Sequence, residues 1–154
     1  MNKQRGFTLI ELVVVIVILG ILAVTAAPRF LNLQSDARVS ALQGMKGAMA
    51  GAGSIVYGKA AINGVETAIS GAIDNGNQSI SIVYGYPEAS SAGIGNAVQG
   101  LEDGTEWQLA ENGNEAYVTF ADRAAPDGSD CSVVYKNAED QFSTPQITVV
   151  ETGC

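Results

Sequence analysis

From Phe7 onward, Thr8-Leu9-Ile10-Glu11-Leu12-Val13-Val14-Val15-Ile16-Val17-Ile18-Leu19 begins an apolar run that reaches Ala27. Nothing else in the chain limits its architecture so sharply. Phe7 to Ala27 is 21 residues, about 31 Å as an α-helix, enough to cross the hydrocarbon core of a bilayer. Between residues 12 and 27 the sole polar side chain is Thr25. Lys3 and Arg5 precede the run, so the positive-inside rule places the N-terminus in the cytoplasm and the rest of the chain outside. Glu11 is the odd residue, because a carboxylate in the first turns of such a helix is costly and normally has a partner and a function. A cleaved secretory signal, with Thr25-Ala26-Ala27 as a loose small-residue site, accounts for the charges and the apolar run but not for Glu11. A plain membrane anchor also leaves Glu11 unexplained.

Gly6-Phe7-Thr8-Leu9-Ile10-Glu11-Leu12 and the helix after it resemble the processing site and N-terminal helix of type IV pilins, the subunits of bacterial surface filaments. The likeness continues through Val24-Thr25-Ala26-Ala27-Pro28-Arg29-Phe30-Leu31-Asn32-Leu33-Gln34, most closely to pilins of the mannose-sensitive haemagglutinin type. Its specific part covers residues 1–45. Pseudopilins, which serve type II secretion, share the same signature and stand as the alternative. The resemblance implies that prepilin peptidase removes residues 1–6 by cutting between Gly6 and Phe7, and that the new amine of Phe7 is methylated. It implies that residues 7–29 form first a transmembrane helix and then filament core, and that residues 30–154 form an amphipathic helix and a head. It also implies a homopolymer built by assembly machinery in the inner membrane. The subunit would reside there before joining an extracellular pilus (fimbrium) that serves surface attachment. In pilins the span matching Gly20 to Pro28 loses helical order in the filament; without the resemblance, Gly20 and Pro28 predict only a kink. Arg29 would snorkel at the outer boundary.

Elementary electrostatics gives Glu11 a task after cleavage. The positive amine created on Phe7 would sit beside lipid, where a carboxylate from a neighbouring subunit can neutralise it. Two unit charges about 4 Å apart attract by about 4 kcal/mol at an effective dielectric near 20. Pairing would reward docking and set axial register. An intrachain pair is also possible, since one helical turn separates the two residues.

Past Pro28, residues 30–58 predict a continuing helix. Leu42, Met45, Met49, Ala52 and Val56 form one apolar stripe for a sheet to cover, with Gln34, Asp36, Arg38, Gln43 and Lys46 on other faces. Gly44, Gly47, Gly51 and Gly53 weaken this helix, so it needs packing on both sides, a sheet on one and neighbouring subunits on the other. Residues 60–77 read as a linker. Strands are expected at 79–84, 105–110, 115–121, 132–136 and 146–151, with Glu111-Asn112-Gly113-Asn114 as a hairpin turn. Short turns favour an antiparallel sheet laid on the helix. With the resemblance, this is the α+β, lollipop-shaped pilin fold.

Composition narrows the chemistry. A formal charge of −8, moving to −10 if Lys3 and Arg5 leave with residues 1–6, argues against a nucleic-acid partner. There is no histidine, nucleophile motif or phosphate loop, so neither an enzyme nor a bound cofactor is expected. Cys131 and Cys154 have no CxxC neighbour, which leaves one disulfide closing a C-terminal loop or, in a cytosolic protein, two thiols. Asp127-Gly128-Ser129-Asp130 and Glu102-Asp103-Gly104 gather oxygens that could attract Ca²⁺, but they read more simply as turns, and no metal site is expected. Tyr57, Tyr84, Tyr86, Trp107 and Tyr117 suit packing; no sugar pocket or receptor site is legible.

Overall fold

The computed structural model describes residues 7–76, 78–124 and 126–154, with residues 27–32 described as backbone only. The expected leader, with Lys3, Arg5 and Gly6, and the side chain of Arg29 lie outside the described residues. In chain order the elements are α1 (Leu9–Asn63), β1 (Gly71–Asp74), β2 (Ser79–Val83), β3 (Tyr86–Pro87), a π-helical turn (Ser91–Gly95), β4 (Trp107–Asn112), β5 (Glu115–Phe120), β6 (Ser132–Lys136) and β7 (Gln146–Val150). The chain divides into two compact units, Met1–Ala37 and Arg38–Cys154.

In the first unit α1 starts immediately after Thr8 and is helical through both Gly20 and Pro28. Neither residue breaks the helix in the single chain. Proline removes one amide donor, and the intrahelical bonds around it keep the remainder in register. Leu9–Ala26 is long and apolar enough to cross a membrane, with a mean hydropathy of 3.0 and none of it buried by the protein. The one hydroxyl inside this span, on Thr25, donates back to the carbonyls of Ile21 and Leu22 at 3.3 and 3.0 Å.

In the second unit the helix buries Leu42, Met45, Met49 and Val56, with Ala52 half-covered, as the stripe predicts, and Ala60 extends the face. It ends in a Schellman cap. Val65 N–H donates to Ala60 O at 3.0 Å and Gly64 N–H to Ala61 O at 3.2 Å, with Gly64 in the left-handed region that glycine enters freely. Leu42, Met45 and Met49 pack with Ile94, Val98, Leu101, Val118, Val133 and Tyr135 in the larger core; Val56 and Ala60 pack with Ile73, Ile80 and Ile82 in the smaller.

The strands form two antiparallel sheets rather than one, ordered β1-β2-β3 and β4-β5-β6-β7. The five expected strands are present within one or two residues. The linker reading of 60–77 misses the end of α1 and β1, whose Ile73 is buried opposite Ile80. The hairpin joining β2 to β3 turns at Tyr84-Gly85, both with positive φ (48° and 78°), and Val83 pairs with Tyr86. This is a two-residue primed turn without its usual Asn-Gly signature. A Cβ on Gly85 would lie 2.9 Å from both Glu66 Cα and the Tyr57 ring, so the turn needs glycine on two counts. Between β4 and β5 the anticipated turn closes at Gly113-Asn114, with Asn112 paired to Glu115.

Cys131 and Cys154 are disulfide-bonded, 23 positions apart. Cys131 is fully buried and its N–H donates to Thr152 O at 2.7 Å, so the bond ties the segment after β7 to the start of β6. Arg38 ion-pairs with Asp122 at 2.7 Å and lies over the Phe120 ring, which stacks on Trp107 at 4.6 Å between centroids. These contacts fix the loop after β5 against the helix within the second unit.

Candidate processing and assembly site

Phe7 and Thr8 precede α1 as non-helical residues. Phe7 is 86% exposed, and every large apolar residue from Leu9 to Val24 is also exposed. The first turn is closed by a capping box. Thr8 N–H donates to Glu11 Oε2 at 2.9 Å, the Thr8 hydroxyl donates to the same oxygen at 2.7 Å, and Glu11 N–H donates back to Thr8 Oγ1 at 3.3 Å. Helix N-termini leave orphan amides, and the S/T-x-x-E/Q pattern satisfies them reciprocally. Thr8-Leu9-Ile10-Glu11 carries that pattern in the sequence. Reading Glu11 only as a charge in lipid overlooks Thr8; the three-residue spacing is the signal that finds it.

The other expected site residues distribute simply. Gly6 lies outside the described residues. A Cβ added at Gly20 would meet no neighbouring group of the chain within 4 Å. The acidic motifs of the head close on themselves as turns. Asp103 Oδ1 accepts from Thr105 N–H at 3.0 Å and its hydroxyl at 2.9 Å, and Asp127 Oδ1 accepts from Ser129 N–H at 2.9 Å and its hydroxyl at 2.6 Å. These bonds hold both carboxyls below their usual range, the backbone bond from Thr105 leading for Asp103 and the hydroxyl bond from Ser129 for Asp127. Among the described residues no three His, Cys, Asp or Glu side chains converge as a metal site. A cleft of about 220 Å³ in the second unit lies between Met49, Gly53, Tyr86, Tyr135 and Ile147. Tyr135 at its base is fully buried and donates to Pro87 O at 2.7 Å, and burial pushes its phenol far above the ordinary range. That hydroxyl serves the fold.

Residues 1–27 match the prokaryotic N-terminal methylation motif. The fimbrial protein EcpC of Eikenella corrodens is 30% identical over 141 residues, 79% of this chain and 92% of that protein. The type IV major pilin protein PilA of Myxococcus xanthus is 35% identical over 92 residues, 59% of this chain and 40% of that protein. The type II secretion system core protein G of Pseudomonas aeruginosa is 46% identical, but over 43 residues only, 28% of this chain and 30% of that protein. No solved structure gives a significant match. The likeness to a secretion component covers less than a third of the chain, whereas the likeness to a fimbrial protein covers 79% of it. The chain belongs to the type IV pilin family of fimbrial proteins and is a structural subunit of a pilus.

Proposed function

We propose that the chain is made as a precursor, cut between Gly6 and Phe7 by prepilin peptidase, methylated at Phe7, and held in the inner membrane by residues 7–29 until the assembly machinery adds it to an extracellular filament. The observation that carries this reading is Glu11, a single carboxylate in an apolar span of membrane length that the protein itself leaves uncovered. A bare carboxylate in lipid is costly, and so is the amine that cleavage creates. Pairing Glu11 of one subunit with the Phe7 amine of the next relieves both costs and makes docking directional. Residues 12–27 then exchange lipid for the helices of other subunits, with helical order lost between Gly20 and Pro28 in the filament. The head, closed by Cys131–Cys154, forms the outer surface. Attachment to surfaces, as in pili of the mannose-sensitive haemagglutinin type, is the role we assign to the filament.

Intact-mass spectrometry of filaments sheared from cells tests this reading. A chain that begins at methylated Phe7, carries the disulfide and dominates the sheared fraction is the expected result. The same processed chain confined to the membrane would instead assign it to a secretion pseudopilus, the reading that the match to core protein G favours. Glu11→Ala is expected to leave insertion intact and abolish filaments. Normal filaments from that variant would remove the ion-pair account.

A further inference from the structure

We infer that Asn112 is a modification site, where the main chain itself converts the asparagine to aspartate or isoaspartate without an enzyme. The sequence holds three Asn-Gly pairs, Asn63-Gly64, Asn75-Gly76 and Asn112-Gly113. In each, the glycine nitrogen can lose its proton to solvent and attack the asparagine Cγ. A Cγ–N bond forms, the Cγ–Nδ2 bond breaks, and Nδ2 departs as ammonia with a proton taken from water. Water then opens the cyclic imide at either carbonyl. The balance is amide plus water to acid plus ammonia, with nothing oxidised or reduced. The fold guards two of the three pairs. Gly64 N–H donates to Ala61 O at 3.2 Å inside the helix cap, and Gly76 N–H donates to Asp74 Oδ1 at 2.8 Å. An amide bonded to an acceptor, above all to a carboxylate, resists giving up its proton. The Asn75 carboxamide is engaged as well, its Oδ1 accepting from Gln78 N–H at 3.3 Å. At the tip of β4 and β5 the situation differs. Asn112, Gly113 and Asn114 are exposed, and Gly113 N–H meets no acceptor among the described residues. The ladder ends at the pair Asn112–Glu115, just short of that amide. A Cβ built on Gly113 meets nothing within 4 Å, so no neighbour screens the nitrogen. The Asn112 side chain is held by Nδ2 donating to the Tyr117 hydroxyl at 3.4 Å, longer than an ordinary bond, which leaves Cγ able to turn toward Gly113.

The conversion changes the hairpin it occurs in. A carboxylate at position 112 faces Glu115 across the last pair of the ladder, and like charges directly opposite each other destabilise an antiparallel pair. Isoaspartate also adds a methylene to the main chain, which a two-residue turn cannot absorb without losing register. Each subunit would thus gain negative charge and a looser β4–β5 end with age. The full chain in detergent micelles, aged near neutral pH in water enriched in heavy oxygen, tests this. Peptide mapping by mass spectrometry then reads the label, because every acid formed during ageing carries one heavy oxygen. Label is expected first at position 112, as aspartate and isoaspartate together. It should appear there about fivefold faster than at Asn63 or Asn75, the scale of first releasing one hydrogen bond. In denaturant the three pairs should converge on one rate, since they share the same dipeptide. Asp74→Ala supplies a second variant that leaves the β4–β5 hairpin alone; by releasing Gly76 N–H it should accelerate conversion at Asn75. Asn112 intact in the folded chain, Asn63 or Asn75 converting as fast as Asn112, or a preference for Asn112 that persists in denaturant would each overturn the proposal. So would a rate at Asn75 that Asp74→Ala leaves unchanged, because the guarded amide would then not be what separates the sites.

Discussion

Ile16 and Leu42 lie on the same helix, yet Ile16 is 56% exposed and Leu42 fully buried. Along Leu9–Ala26 no apolar side chain is covered by its own chain, while from Arg38 onward the apolar stripe meets two sheets and a π-helical turn. The contrast separates two sources of stability. The second unit covers its stripe with its own strands, so its packing is decided within one polypeptide. The apolar span has no such internal cover and must obtain it from lipid or from other subunits. Substitutions in the two regions should therefore appear in different experiments.

The largest difference should come from the matched pair Leu42→Ala and Ile16→Ala. Leu42 is surrounded by core side chains, and truncating a buried leucine costs about 2–5 kcal/mol through lost burial and a residual cavity. Denaturant unfolding of the full chain in detergent micelles, followed by Trp107 fluorescence, should register that loss for Leu42→Ala and no shift for Ile16→Ala. A comparable loss in both variants would break the division. Next in size is the disulfide. Replacing Cys131 by Ala and Cys154 by Ser opens a loop of 23 positions and should cost about 2–4 kcal/mol in the same assay. Membrane insertion of the span should be unaffected.

How much of this was readable in advance follows the same boundary. The apolar span, Glu11 and the core stripe are period and composition signals, and these survive without tertiary context. The hairpin at Gly113-Asn114 announces itself through turn chemistry. β1 does not: Gly71-Ala72-Ile73-Asp74 has one residue of strong strand preference, and that residue is placed by packing against Ile80. Tyr84-Gly85 is hidden because a tyrosine takes the left-handed position that asparagine usually fills. The division of the strands into two sheets is hidden for another reason. The π-helical turn lies between the two sheets in the chain, and in it Gly93 passes so close to the Glu88 backbone that a Cβ would lie 2.6 Å from Glu88 N, an approach that no local sequence pattern announces. The capping box was legible at the site, in four consecutive residues, to a reader looking for a helix start as well as a charge.

The face of the helix opposite the core stripe sharpens the comparison from within the second unit. Gly47 is exposed, and a Cβ built there meets nothing within 4 Å. Glycine in a helix interior is worse than alanine by about 0.5–1 kcal/mol, so Gly47→Ala should stabilise the single chain by that amount. Gly85→Ala, with its positive φ and crowded surroundings, should move the other way. If Gly47→Ala destabilises the chain in micelles, the helix face is more constrained than its open surface indicates.

The smallest effect concerns acid. Glu111 Oε1 accepts from Ser91 N–H at 2.5 Å, joining β4 to the π-helical turn, and this backbone bond holds the carboxyl below its ordinary 4.5. A carboxylate depressed in the folded state contributes stability that is present above the unfolded value. The contribution is lost as the pH falls through the lower, folded one. The second unit should thus weaken below about pH 4.5, with Glu111 supplying one share alongside Asp103 and Asp127. Glu111→Gln should lower the neutral-pH denaturant midpoint slightly, by the share that the charged form contributes, and flatten part of the decline on acidification, whereas Glu11→Gln, in the apolar span, should leave that acid limb as it is. An acid limb unaltered by Glu111→Gln would mean that Ser91 gains nothing from the charged form, and the π-helical turn would then be held by Ser90 and its own backbone bonds.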